Sequence, residues 1–128
     1  MPNIEVKHPD KTATTGSYSA GVIRNGWLYV SGHGSLDLKT GEPIPGTVED
    51  ETRRTLQQIG KVLAAAGAGF EDIVKCSVHL ADIDEFDGFD RAYREFFPGV
   101  KPARTTVQAV LWGGLKVEID AIACLPER

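Results

Sequence analysis

Basic charge is in short supply. Fourteen Lys and Arg stand against 18 Asp and Glu, a net charge of −4. No stripe of cations gathers along the chain, and a nucleic-acid backbone is bound through clustered Lys and Arg, so that class of partner is not expected. Cysteine is scarcer still. Cys76 and Cys124 form no Cys-x-x-Cys pair, and the sequence around neither suggests the base a catalytic thiol needs, so they read as small apolar thiols in a reducing cytosol. His8, His33 and His79 are scattered, with no Cys or acid at metal-ligand spacing, and no metal site is expected. Long apolar runs are missing. The stretch Val62 to Ala66 falls far short of the roughly 20 residues of a membrane span. The first residues, with Glu5, Lys7 and Asp10, contain no apolar block, so no signal peptide is visible and a cytoplasmic location is expected. Repeats, low-complexity tracts and linkers are also absent. A length of 128 residues suits one domain, 1–128, and 41% hydrophobic with 25% charged residues is the composition of a soluble, folded chain.

What is present is clear punctuation. Gly21–Arg24 and Trp27–Val30 flank Asn25-Gly26, a strong hairpin signal because both residues tolerate positive φ. The stretch Ser31 to Gly46, rich in Gly and Pro, reads as loop. Thr47 is a good helix N-cap, followed by Glu49, Asp50 and Glu51 at the positive end of the helix dipole. Leu56, Ile59, Leu63 and Ala66 form an apolar stripe, Glu49–Arg53 and Asp50–Arg54 can pair along the helix, and Gly67 suits its end. Ile73 to Leu80 alternates as a strand, and Asp84 to Phe97 carries Phe86, Phe89, Tyr93 and Phe96 on one helical face before Pro98-Gly99. Strands Thr105 to Leu111 and Leu115 to Cys124 follow, linked by Trp112-Gly113-Gly114. The pattern predicts an α+β two-layer sandwich with two helices on one face of a sheet. If the Gly-Gly link makes a hairpin, Arg104, Thr106 and Gln108 lie beside Lys116, Glu118 and Asp120 on the other face. That face is then a solvated surface, a polar site or a subunit interface. Gly32-His33-Gly34 lacks the third glycine and the following helix of a dinucleotide fingerprint, and the acids of Asp82 to Asp87 fail the calcium-loop spacing.

The segments Lys101 to Gln108 (KPARTTVQ) and Lys116 to Ala123 (KVEIDAIA) resemble the C-terminal signature of the RidA family, also called YjgF/YER057c/UK114. Gly16-Ser17-Tyr18-Ser19-Ala20-Gly21, Val30-Ser31-Gly32, Asp72-Ile73-Val74-Lys75 and Tyr93-Arg94-Glu95-Phe96-Phe97 are similar to other family segments, in the same order. The resemblance runs from about Gly16 to Ala123. It implies a chorismate-mutase-like fold with a mixed sheet, a homotrimer, and ligand clefts between subunits. It implies hydrolysis of small 2-imino or enamine acids, such as 2-iminopropanoate or 2-iminobutanoate, to 2-keto acids and ammonia without a cofactor. Arg104 matches the family's carboxylate-binding arginine, and the planar guanidinium fork suits that anion. Glu118 matches its glutamate, in reach of a water to be deprotonated. Thr106 stands where many relatives have Cys, Tyr18 matches the cleft tyrosine, and Ser31 and Gly32 match the pocket floor.

Three departures bear on specificity. Ser17 replaces the usual Pro, His33-Gly34-Ser35 replaces a Gln-led segment, and Leu111-Trp112-Gly113-Gly114 replaces a Leu-Pro loop. His33 is a candidate acid–base or substrate-binding group, since its ordinary pKa lies near neutrality. Other readings are a non-catalytic small-acid-binding or chaperone-like trimer, a pathway-specific enamine deaminase of aminoacrylate or aminomuconate type, and a ribonuclease, for which the sequence offers neither a basic groove nor a histidine pair.

Overall fold

The computed structural model describes residues 2–127. The elements run β1 (Ile4–Val6), β2 (Gly21–Arg24), β3 (Trp27–His33), α1 (Val48–Ala65), β4 (Ile73–Leu80), α2 (Phe86–Arg94), β5 (Ala103–Gln108) and β6 (Val117–Cys124). One mixed sheet has the order β1-β2-β3-β6-β4-β5. Both helices cover the same face, as the patterning predicts. Leu56, Ile59, Val62 and Leu63 of α1 and Phe89 and Tyr93 of α2 join Leu28, Val30, Val78, Leu80, Val117, Ile119 and Ala121 in a single buried cluster. Each fully covered Leu or Ile contributes roughly 2–3 kcal/mol of transfer free energy. Among the described residues no helix is long and apolar enough to cross a membrane.

The local signals hold at the first hairpin and at α1. Asn25 and Gly26 take φ of 53° and 81°, the left-handed pair that a tight hairpin needs. Thr47 Oγ1 accepts from Asp50 N at 3.1 Å. At the other end Gly67 N donates to Ala64 O and Ala68 N to Leu63 O, which closes the helix.

The expected hairpin of the last two strands does not form. β5 pairs parallel with β4, and β6 pairs antiparallel with both β4 and β3. The last strand therefore enters the middle of the sheet and β5 is left on its edge. Trp112–Gly114 is a 3-10 turn that carries the chain past the end of β4, where Ala109 N donates to Leu80 O and Ala81 N to Lys116 O. Smaller differences follow from tertiary contacts. β3 continues through Ser31, Gly32 and His33 because β6 gives it partners, and α2 begins with a separate 3-10 turn, Ile83–Glu85. Arg53 pairs with Glu95 at 2.8 Å and with Asp50 at 3.5 Å, and Arg91 pairs with Glu49 at 3.2 Å. Most of these charges thus tie α1 to α2 rather than stapling α1 along its own axis.

One buried anion ties the loops to the sheet. Glu51, on α1, is 1% exposed. Its carboxylate accepts from Gly46 N at 3.2 Å, Lys116 N at 3.0 Å and Lys116 Nζ at 3.4 Å. The residues before α1 and before β6 are thereby fixed to one point. Glu51→Ala leaves two backbone donors without a partner, and a loss of about 3 kcal/mol is expected in chemical denaturation.

Candidate active site

A cleft of about 700 Å³ opens where the end of β3 meets β6, and its lining includes Thr14, Thr15, Tyr18, Ser31, Gly32, Leu36, Trp112, Leu115, Glu118 and Asp120. Its floor is a β-bulge. Val30 pairs with Ala121 and His33 with Ile119, so Ser31 and Gly32 together oppose the single residue Asp120. The extra residue turns both Ser31 and Gly32 toward the cleft while Val30 and His33 stay on the helix side. Ser31 is held at both polar ends, its N–H donating to Ala20 O at 3.0 Å and its hydroxyl to Ser19 O at 2.5 Å.

Gly32 lies directly against Glu118. A Cβ at position 32 would sit 3.1 Å from Cδ of Glu118 and 3.3 Å from Oε1. The absent side chain is what lets the carboxylate rest on the floor of the cleft. Glu118 alternates with Val117 and Ile119, which are buried under the helices, so the strand period aims it at the opposite face. Tyr18 forms a side wall. Its hydroxyl shares a 2.5 Å hydrogen bond with Thr15 Oγ1, and Lys11 Nζ stands 4.5 Å from its ring centroid.

Of the residues singled out from the sequence, Tyr18, Ser31, Gly32 and Glu118 come together here. Arg104 and Thr106 do not. In the parallel register Arg104 is opposite Cys76 and Thr106 opposite Val78, both of which face the core. The guanidinium of Arg104 therefore lies on the helix side, 4.8 Å from the Tyr93 ring centroid and 5.3 Å from that of Phe89. Its Nη1 donates to Asp90 Oδ1 at 2.8 Å. Thr106 Oγ1 is buried there without a hydrogen-bond partner among the described residues. The expectation that Arg104, Thr106 and Gln108 share a face with Glu118 and Asp120 is thus corrected for the single chain: β4 separates the strands, and its register turns the two rows to opposite sides.

His33 also departs from the cleft lining. It is 8% exposed, and its Nδ1–H donates to Ser31 O at 2.6 Å. Its ring centroid lies 6.3 Å from that of His8, whose Nδ1 accepts from Asp10 N at 3.0 Å. It braces the bulge from behind rather than facing a ligand. The sequence marked His33 as unusual but could not show on which side of the bulge it falls. Trp112 and Leu36 line the cleft from loops that no periodicity marks, and Leu115, expected as the first residue of the last strand, lines it from just before β6.

Burial lowers the pKa of His33 from 6.5 to about 4, against the raising effect of the Ser31 carbonyl, and burial lowers that of His8 as well. Between pH 6.5 and 4 the unfolded chain binds protons that the folded chain refuses, so stability falls as pH falls through that window. A shift of this size amounts to about 3 kcal/mol across it, with no contribution from His33 to the slope above or below. Denaturation midpoints measured against pH should show this slope, and His33→Gln should flatten it. Gly32→Ala should displace the Glu118 carboxylate by a few tenths of an ångström and lower kcat about tenfold in the assay described below, while the midpoint stays close to wild type.

The sequence profile described as endoribonuclease L-PSP matches residues 9–125. The chain is 40% identical over 112 residues to the rat 2-iminobutanoate/2-iminopropanoate deaminase, covering 87% of this chain and 82% of the relative. It is 37% identical over 109 residues to the human protein of the same name, covering 84% of this chain and 80% of the relative. Among solved structures, RidA from a Psychrobacter species superimposes with a TM-score of 0.88 at 28% identity, over 95% of this chain and 99% of the other. The Escherichia coli TdcF structure with bound serine superimposes with a TM-score of 0.88 at 30% identity, over 96% and 99%. With sequence and topology in agreement over nearly its whole length, the chain belongs to the RidA (YjgF/YER057c/UK114) family, the family of the endoribonuclease L-PSP profile.

Proposed function

We propose that this protein is an imine deaminase that hydrolyses 2-imino acids to 2-keto acids and ammonia, in clefts shared between copies of a homotrimer. The observation that carries the reading is the Glu118 carboxylate seated on the Gly32 bulge, in a chain 40% identical to a protein named for this reaction. Water adds to the imine carbon while Glu118 takes its proton. Glu118 passes that proton to the imine nitrogen to give the carbinolamine, and the carbinolamine collapses to the keto acid as its hydroxyl proton is relayed through Glu118 to the amino group, which leaves as ammonia. The C=N bond is replaced by C=O, and no electrons are transferred.

The charge distribution supports sharing between copies. The cleft lining holds two acids, Glu118 and Asp120, and no Lys or Arg. A substrate carboxylate would be repelled from it unless a cation came from elsewhere. Arg104 lies on the edge strand, away from its own cleft, with one guanidinium N–H paired to Asp90 and the other donors of the fork left for an incoming carboxylate. The sheet face opposite the helices carries exposed Trp27, Tyr29 and Val107 and half-buried Ile122, an apolar surface suited to burial against further copies. In this reading Arg104, with Thr106 behind it, serves the cleft of a neighbouring copy. A nuclease reading is opposed by the same acids, which would meet a phosphate backbone with like charge.

The test is release of ammonia and keto acid from 2-iminopropanoate and 2-iminobutanoate generated in the assay. Arg104→Ala and Glu118→Gln should each lose about a hundredfold in kcat/KM. Full acceleration retained by Arg104→Ala would remove that residue from the mechanism. The two inactive variants, unfolded together and refolded, should recover about a quarter of wild-type activity, since random assortment leaves that share of interfaces with both residues intact. No recovery would place both residues in one subunit's site.

A further inference from the structure

We infer that the cleft selects 2-imino acids with a bulky apolar side chain, aromatic above all, and that Trp112 is the residue that selects them. The inference rests on the deaminase reading and names the substrate class within it.

Trp112 is 66% exposed, yet it lines the cleft with Tyr18, Leu36 and Leu115. A large ring left uncovered costs transfer free energy, so its placement calls for an occupant. The ring is held out by its backbone rather than by packing of its own. Leu115 N donates to Trp112 O at 3.2 Å, which closes the 3-10 turn. Gly113 rests on the Pro43 ring, where an added Cβ would stand 2.9 Å from Cγ. Leu115, on the far side of the turn, is buried against Gly34, where an added Cβ would stand 2.8 Å from Cδ1. Both ends of the turn are thereby fixed, and the backbone places the indole at the cleft.

The acids of the lining come from the sheet, and its large apolar side chains come from the loops. The sheet contributes Ser31, Glu118 and Asp120, of which Glu118 handles the water and the nitrogen in the deaminase reading. The loops contribute the large apolar surfaces of Tyr18, Leu36, Trp112 and Leu115, beside the hydroxyls of Thr14, Thr15 and Thr40. With the reacting carbon over Glu118, the substrate side chain is left to the loop residues. A methyl group covers little of the indole. A benzyl group covers much of it and can stack edge-to-face or offset on an aromatic wall.

The experiment compares kcat/KM for 2-imino-3-phenylpropanoate and 2-iminopropanoate in wild type, Trp112→Ala and Trp112→Phe. Dissociation constants of the product acids, phenylpyruvate and pyruvate, are measured alongside by calorimetry. Wild type should favour the phenyl substrate and phenylpyruvate by about tenfold or more. Trp112→Ala should lower that ratio about tenfold, and Trp112→Phe should keep most of it. Equal binding of phenylpyruvate and pyruvate by wild type would overturn the inference, as would a Trp112→Ala variant in which both substrates change by the same factor. If neither imine is turned over but phenylpyruvate still binds more tightly in a Trp112-dependent way, the deaminase reading fails and the selectivity stands.

Discussion

The rest of the structure depends on where β6 goes. By entering between β3 and β4, the last strand to be made becomes the centre of the sheet. Val117, Ile119, Ala121 and Ala123 close the core beneath both helices. The residues between them are then bound to face the other way, and Glu118 and Asp120 acquire an address that they could not have on an edge. A core completed from the C-terminus is costly in loop closure, since contacts between β6 and β3 join residues about ninety positions apart. Glu51 is the local compensation, because its carboxylate grips Lys116 at the moment the chain turns into β6.

The catalytic reading and the fold share one geometric device. A regular β3 would leave a single residue opposite Asp120. The bulge supplies two, and one of them is the glycine on which Glu118 rests. His33 holds the device from the core side with a hydrogen bond to Ser31 O, and burial keeps its ring neutral across the physiological range. Glu118 on the cleft side and His33 on the core side thus lie on opposite faces of the sheet, either side of the bulge. The cation of the proposed mechanism stands apart from both, cradled by Phe86, Phe89 and Tyr93 and already touching Asp90.

Much of the fold was legible in the residues. Asn25-Gly26, the Thr47 cap, the stripe of α1 and the alternation of β4 and β6 are local signals, and local structure obeys them. What failed was non-local. Two strands joined by a Gly-Gly link look like a hairpin, and nothing in their patterning reveals that β4 lies between them. The face assignment of Arg104 fell with that pairing, since a strand's period says which residues share a face but not which face it is. The ion pairs drawn along α1 gave way for the same reason: Glu49 pairs with Arg91 of α2, Arg53 finds a bidentate acceptor in Glu95 at the end of α2, and Arg54 turns to Ser35 and Ile44. The cleft residues that a motif carries were readable. Trp112 and Leu36 belong to loops, where position is set by contacts such as Gly113 on Pro43.

The bulge separates what holds the chain together from what shapes the cleft. Val30 and His33 keep their partners on β6 on either side of it, so removing one residue between them would restore an unbroken ladder without shifting either flank. The core would be unchanged, and only the floor beneath Glu118 would vanish. A chain so shortened would keep its architecture and lose the seat of the Glu118 carboxylate, so at this short stretch it is length, rather than side-chain identity, that shapes the cleft.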